Sequence, residues 1–364
     1  MIINEVISVL EELAPSSLQE SYDNAKLIVG DGRQEVQKVL ICLDSTEEVL
    51  EEAIEKGCNL IIAHHPIVFT GLKKFNGSNY IERVIIKAIK NDIAIYAIHT
   101  NLDNVFNGVN FKISEKLGLK NLNILSPKEK MLRKLVFYCP LEQTEEVRSK
   151  IFEVGAGGIG NYTSCSFSSI GTGTFKANEK ASPHVGEINN LHLEKEERVE
   201  MVFPFYLETK VIGALVNAHP YEEVAYDIYQ INNNWNEIGS GMIGELEEPI
   251  ETTEFLKMIK SKLNLELIRY TNIHTEEVKR VAVCGGSGSF LLNEAMARRA
   301  DVFISADFKY HQFFDADNKI IIADIGHYES EQFTGELIQS YLQEKIPNFA
   351  SYLTSKRTNP INYI

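Results

Sequence analysis

The chain has 364 residues, 44% of them apolar and 24% charged, the composition of a folded protein with two or three domains rather than of a disordered segment. Its 36 basic and 51 acidic residues leave a formal charge of −15 with histidine neutral, so nucleic acid is not expected as a partner. The longest charge-free stretch, Val154 to Phe175, draws 13 of its 22 residues from Gly, Ser and Thr, so no membrane-spanning helix is expected.

Residues 2–13 place Ile3, Val6, Ile7, Leu10 and Leu13 at helical spacing, and Glu5, Glu11 and Glu12 argue against a secretory leader. VLICL (39–43) reads as a buried strand, followed by Ser45 as a cap, a helix lined by Val49, Leu50, Ala53 and Ile54, and Gly57 as its stop. LIIA (60–63) is the next strand, a helix follows near 80–90, and IAIYAI (93–98) is another strand. This alternation predicts parallel pairing through crossover helices. From about 130 to 250 the pattern changes to strand-like runs (LVFYCP, MVFPFYL), the Gly/Ser/Thr-rich stretch and the phrase HPYEEVAYDIY. We read this region as a small α+β module inserted into one α/β domain. The first grammar then returns: a short strand at 281–283, a turn at Gly285–Gly288, and a helix near 290–299. VFISA (302–306), a helix near 308–316, KIIIAD (319–324) and a final helix near 329–344 complete the chain. Cys42, Cys58, Cys139, Cys165 and Cys284 include no C-x-x-C pair, which fits a reducing cytoplasm with thiols mostly in cores.

Three strand ends carry groups that bind metals. LIIA leads into His64 and His65, IAIYAI into His99 and Asp103, and KIIIAD into His327 and Glu331. In open parallel sheets, ligands gather beyond the carboxyl ends of the strands, so these segments can share one cleft. Adjacent His64 and His65 point to opposite sides of an extended backbone and serve two ions more naturally than one. His327 and Glu331 are four apart and stack on one helix face. A carboxylate has two oxygens, so Glu331 can bridge two ions, and Asp103 adds another oxygen. Three imidazoles with two carboxylates suit Zn, Fe, Mn or Co better than Mg or Ca. A plain tight turn is the better reading of Gly285–Gly288 than a phosphate cradle, and packing explains Tyr221, Val224 and Tyr226 in HPYEEVAYD.

AHHPIVF (63–69), IHTNLDN (98–104), SADFKYHQFFDA (305–316) and DIGHYESE (324–331) closely resemble the signature segments of the Nif-three-like dinuclear metal centre proteins, also called type 2 GTP cyclohydrolase I homologues. YDNAKLIVG (22–30) is similar to the N-terminal segment of that family. The resemblance implies an α/β domain over 1–126 and 253–364, split by an inserted ferredoxin-like domain of the PII/CutA kind over 130–250. It also implies two divalent ions per subunit (Zn, Fe or Mn), held by His64, His65, Asp103, His327 and a bridging Glu331, in a toroidal homohexamer. Where the family usually has Thr-Gly-Asp this chain has Ser305-Ala306-Asp307, and Tyr22 and Lys26 replace a usual Trp and Gly.

The expected function is hydrolysis of a small molecule by metal-activated water, with GTP ring opening as the activity the resemblance attaches. Glu331 would then be essential to the site, and His99 would be a general acid or base, or a partner that orients a ligand. The alternative is a non-catalytic hexameric scaffold, metal reservoir or regulator whose insert senses a small molecule.

Overall fold

Helix α1 (Ile3–Leu13) buries Ile3, Val6 and Leu10 on one face, as its spacing predicts, and Glu5 accepts from the Ile2 amide at its start. Strands β1 (Leu27–Val29) and β2 (Val39–Cys42) precede α2 (Glu47–Lys56). The cap of α2 is Thr46, whose hydroxyl accepts from Val49 N at 3.3 Å, not Ser45, which is buried one residue earlier. Gly57 ends the helix at φ +67°, a conformation that costs glycine little. There follow β3 (Leu60–Ala63), α3 (Tyr80–Lys90), β4 (Ala94–Ala97), the single turn α4 (Thr100–Asp103), α5 (Val109–Leu117) and β5 (Lys120–Pro127).

The middle of the chain holds β6 (Leu132–Pro140), α6 (Thr144–Glu153), β7 (Phe167–Lys176), β8 (Leu191–Pro204), α7 (Glu208–Ala218) and β9 (Tyr226–Ile231). These strands form one antiparallel sheet in the order β7-β8-β6-β9. Its core joins Phe137 of β6 and Phe203 of β8 to Ile151 of α6 and Leu215 of α7.

The remainder comprises β10 (Gly239–Glu251), α8 (Thr252–Lys262), β11 (Arg269–Tyr270), β12 (Glu277–Ser287), α9 (Leu292–Ala297), β13 (Val302–Ala306), β14 (Ile321–Asp324), α10 (His327–Glu331), α11 (Thr334–Lys345) and β15 (Ser351–Leu353). The stretch expected as a helix near 308–316 is a 3-10 helix, Tyr310–Ala316, and the long final helix is divided into α10 and α11. The expected short strand at 281–283 is part of β12, which runs on to Ser287 with a register shift after Val283.

The computed structural model describes residues 1–364, which separate into two compact units, 1–127 with 236–364 and 128–235. The sequence pattern predicts a middle region that ends near 250. In the structure β10 pairs with β5 and β12, so the chain returns to the first unit by residue 236.

That first unit is mixed α/β and contains two sheets. One has five strands in the order β1-β4-β3-β2-β15, and the other six in the order β11-β14-β13-β12-β10-β5. Strands β2, β3 and β4 are parallel neighbours, as are β12, β13 and β14. The apolar runs of β2, β3, β4 and β14 are buried at every position, the pattern of strands covered on both faces. Strand β15 pairs with β2 from Ser351↔Val39 onward, so the first sheet is completed by the far end of the sequence. No helix is long and apolar enough to cross a membrane. All five cysteines are free, and Cys42, Cys58, Cys139 and Cys284 are buried.

Candidate metal centre

The centre is built at the carboxyl ends of three parallel strands. Beyond β3 the backbone stays bonded to its neighbour, with His64 N donating to Cys42 O at 3.1 Å and His65 N to Leu43 O at 2.9 Å. Beyond β4, His99 opens α4, and Asp103 closes that turn with its amide bonded to His99 O at 3.2 Å. Asn101 and Asn104 hold the turn by donating to Ala14 O and Leu18 O at 2.7 and 2.9 Å. Beyond β14, Gly326 turns the chain at φ +91° and α10 begins at His327. The single helix turn brings His327 Nε2 to 3.3 Å from Glu331 Oε2. These strands lie in two sheets, β3 and β4 in one and β14 in the other, so the ligand-bearing loops come from both rather than from one.

Glu331 sits at the middle. His65 Nε2 lies 3.0 Å from its Oε2, His64 Nε2 lies 3.8 Å from its Oε1, and His64 Nε2 is 3.7 Å from Asp103 Oδ1. The two adjacent histidines thus address different oxygens of one carboxylate, with ring centroids 4.9 Å apart. His65, His327 and Glu331 form one group with the spacing of a metal site, and His64, His65 and His99 form a second.

Each imidazole is oriented through its other nitrogen. His64 Nδ1 donates to Ile98 O at 2.8 Å, His65 Nδ1 to Asp44 Oδ1 at 2.8 Å, His99 Nδ1 to Asp23 Oδ1 at 2.8 Å, and His327 Nδ1 to Asp307 Oδ2 at 2.6 Å. A carbonyl or carboxylate oxygen can only accept, so all four rings carry a proton on Nδ1 and turn Nε2 inward. Asp44, Asp23 and Asp307 were not singled out from the sequence. Asp44 and Asp307 nevertheless follow the ends of β2 and β13, the same topological position as the histidines. His99 bonds to Asp23 rather than to a neighbouring imidazole, so it does not orient another histidine through Nδ1.

The inward atoms face only one another. His64 Nε2, His65 Nε2, Asp103 Oδ1 and Glu331 Oε2 are buried and form no well-aligned hydrogen bond, although His65 Nε2 and Glu331 Oε2 lie 3.0 Å apart as an ion pair. Leaving a buried polar atom unpaired costs about 1–3 kcal/mol, more when it is charged, and here several such atoms converge. Nitrogen and oxygen donors facing one another across 3.0 to 3.8 Å suit transition-metal cations.

The protonation pattern points the same way. Burial pushes the Asp103 carboxyl well up, with the Glu331 charge adding to it. Burial also opposes charge on Glu331, but His327, His64 and His65 outweigh it and hold that carboxyl well down. Burial lowers His65 and His327 in turn, yet the surrounding carboxylates raise them to about 10 and about 11. Burial dominates at His64 and keeps it below the ordinary histidine value. At Asp23 the bonds from His99 and Thr100 overcome burial and hold the carboxyl at about 2, so this aspartate stays ionised beside His99. Without metal, then, the centre gathers protons where cations would sit.

The glycine-rich segment serves this packing. A Cβ on Gly286, at φ +60°, would lie 2.4 Å from Glu331 Oε1 and 3.2 Å from the His327 ring. Its amide donates to Ser330 Oγ at 2.8 Å, and the Gly285 amide to Asn110 Oδ1 at 2.9 Å, so these two N–H groups are engaged within the fold. Ala306 stays in β13, and the positive φ of +61° falls on Asp307, a residue type that tolerates it. The centre opens into a cleft of about 720 Å³, with Tyr22, Phe69, Tyr80 and Phe290 among its walls.

The Duf34/NIF3 (NGG1p interacting factor 3) family model matches residues 1–360. The chain is 37% identical over 364 residues to a Halalkalibacterium halodurans protein named GTP cyclohydrolase 1 type 2 homolog, covering 99% of this chain and 98% of that one. A Bacillus subtilis protein of the same name is 37% identical over 365 residues, with 99% and 98% covered. Among solved structures, a Bacillus cereus protein related to NIF3 superposes with a TM-score of 0.88 at 38% identity, over 100% of this chain and 99% of that one. A Staphylococcus aureus protein superposes with a TM-score of 0.78 at 31% identity, with 100% and 99% covered. With signature residues, fold and near-complete coverage in agreement, the chain belongs to the Duf34/NIF3 family.

Proposed function

We propose that the protein is a metal-dependent hydrolase of a small molecule, working with two divalent ions, Zn, Fe or Mn. His65 and His327 would hold one ion, His64 and Asp103 the other, and Glu331 would bridge them. The observation that carries this reading is the set of buried, unpaired inward atoms on His64, His65, Asp103 and Glu331. When bound, the ions would supply a water activated near neutral pH.

The side chains do the rest. Asp44 and Glu331, both held below the usual carboxylate range, keep negative charge in the cleft and favour cations there. The exposed rings of Tyr22, Phe69, Tyr80 and Phe290 suit a planar ring in the substrate. Asp23 orients His99, whose ring lies 5.3 Å from both His64 and His65, where it can give or take a proton at the reacting atoms. The rings suit a planar base, and a nucleotide, whose phosphates would need the bound ions to offset the carboxylates of the cleft, is the substrate class we propose. GTP ring opening is the first reaction to test, because relatives carry the name GTP cyclohydrolase 1 type 2 homolog.

We also propose a homohexamer in the cytoplasm, to which the unpaired thiols are suited. For residues 128–235 we propose an inserted ferredoxin-like domain. The order β6-α6-β7-β8-α7-β9 and the sheet order β7-β8-β6-β9 support it.

The test is metal analysis and a nucleotide-hydrolysis screen on one preparation. Two ions per chain are expected, with turnover that is lost on chelation and greatly reduced in His99→Ala. Metal-loaded protein that turns over no nucleotide with Zn, Fe or Mn sinks the catalytic reading and favours a metal-holding scaffold.

A further inference from the structure

The segment after β15, residues 354–360, forms no helix or strand, yet it is fastened to acidic side chains along its length. Thr354 Oγ1 donates to Glu52, and Ser355 donates to the same carboxylate from N and Oγ at 2.9 and 2.8 Å. Arg357 pairs with Glu266 at 3.2 Å, and Asn359 Nδ2 donates to Glu329 Oε1 at 2.8 Å. Between them Thr358 Oγ1 donates to Asp44 Oδ2 at 2.6 Å, and Thr358 and Pro360 line the metal cleft.

Asp44 is the carboxylate that orients His65. Its Oδ1 accepts from His65 Nδ1 at 2.8 Å while its Oδ2 accepts from Thr358, so the group is held through both oxygens. Its side chain is 36% exposed, and without the hydroxyl water would compete for Oδ2 and leave the carboxylate freer to rotate. The same arrangement occurs again in the centre, where Thr100 donates to Asp23 Oδ2 from N at 3.0 Å and also from Oγ1, while Asp23 Oδ1 receives His99. Two threonine–aspartate–histidine chains therefore enter the cleft, one from the loop after β4 and one from the segment after β15.

We propose that Thr358 is a positioning residue for the metal centre, fixing His65 through Asp44, so that the segment after β15 completes the half of the site made by His65, His327 and Glu331. This rests on the metal reading above. Thr358 touches no ligand itself, and its effect is confined to the basicity and aim of one imidazole.

The experiment titrates full-length wild type and variants with Zn2+ against a chromophoric chelator, and repeats it with Co2+, whose absorption reports ligand geometry. Thr358→Val keeps the shape and removes the hydroxyl. It is expected to weaken one of the two binding steps by about 3–10-fold, somewhat below the usual effect of removing a ligand's direct partner, with a changed Co2+ spectrum. Thr358→Ser restores both. Asn359→Ala loosens the same segment without touching Asp44 and leaves both steps at wild-type strength. Thermal unfolding confirms that each variant is folded. Wild-type affinity in Thr358→Val, or an equal loss in Asn359→Ala, overturns the proposal and leaves the segment as a simple wall. A wild-type protein that binds no ion overturns the metal reading first, a failure distinct from either.

Discussion

Two buried histidines, one in each unit, separate a structural site from a site built for a ligand. His64, in the first unit, has no exposed surface, and His219, in the second, is 7% exposed. Burial holds both below the ordinary histidine value, so both favour the neutral ring. His219 uses both nitrogens within the fold: Nε2 donates to Tyr138 O at 2.9 Å, and Nδ1 accepts from Tyr221 N at 3.1 Å. His64 uses one, Nδ1, and leaves Nε2 buried and unpaired, facing two carboxylates. Burial alone therefore does not mark a ligand. The unpaired nitrogen does, because a fold gains nothing from desolvating a polar atom and giving it no partner.

Replacing a central residue in each unit should pull this contrast apart. Glu331→Ala removes the oxygens shared by His64, His65 and His327, and metal affinity should fall by more than about 100-fold, beyond the range for orienting groups. His219→Ala should leave metal content unchanged while destabilising the fold by about 1–3 kcal/mol, since Tyr138 O and Tyr221 N lose their partner. Metal analysis and denaturant unfolding of both proteins decide it. Bound metal that survives Glu331→Ala would erase the distinction.

A smaller effect is expected one bond outward. Asp307→Asn keeps an acceptor for His327 Nδ1 but removes the charge, and affinity for Zn2+ should drop roughly 10-fold, at the lower end for such partners. Competition titration measures it, and an unchanged affinity would show that Asp307 merely fills space.

The smallest effect is read in protons. With folded-state values of about 10 and about 11, His65 and His327 are both charged at neutral pH without metal. These values lie above the ordinary 6.5, so the ion pairs of His65 with Asp44 and Glu331 and of His327 with Asp307 and Glu331 stabilise the metal-free fold fully below that pH, and the contribution is lost as pH rises through 10 to 11. Metal must displace both protons, so affinity should weaken as pH falls. Calorimetry in buffers of different ionisation enthalpy should count about two protons released from these rings. Release near zero would mean that neither imidazole binds through Nε2.

Much of the candidate centre was legible because the residues proposed as ligands sit where parallel strands end. His64 and His65 follow an unbroken apolar run, and His327 and Glu331 carry their own spacing. The orienting aspartates were harder to find, since a single acid after a strand is common and its direction depends on packing. Asp44 gains its meaning from His65 on the neighbouring strand, and Asp307 from His327 across β13 and β14. Thr358 was out of reach, because its hydrogen bond to Asp44 joins residues 314 positions apart.

Local chemistry along the chain determined which segments are buried parallel strands, roughly where helices lie, and which side chains can bind a cation. Period and composition encode these properties at short range. Tertiary structure alone decided that the candidate ligands come from two sheets, that β10 rejoins the first unit, and that β15 pairs with β2. Those choices depend on which distant edges and faces meet, and no local pattern records that. The four unpaired atoms gain their significance only when the fold closes around them.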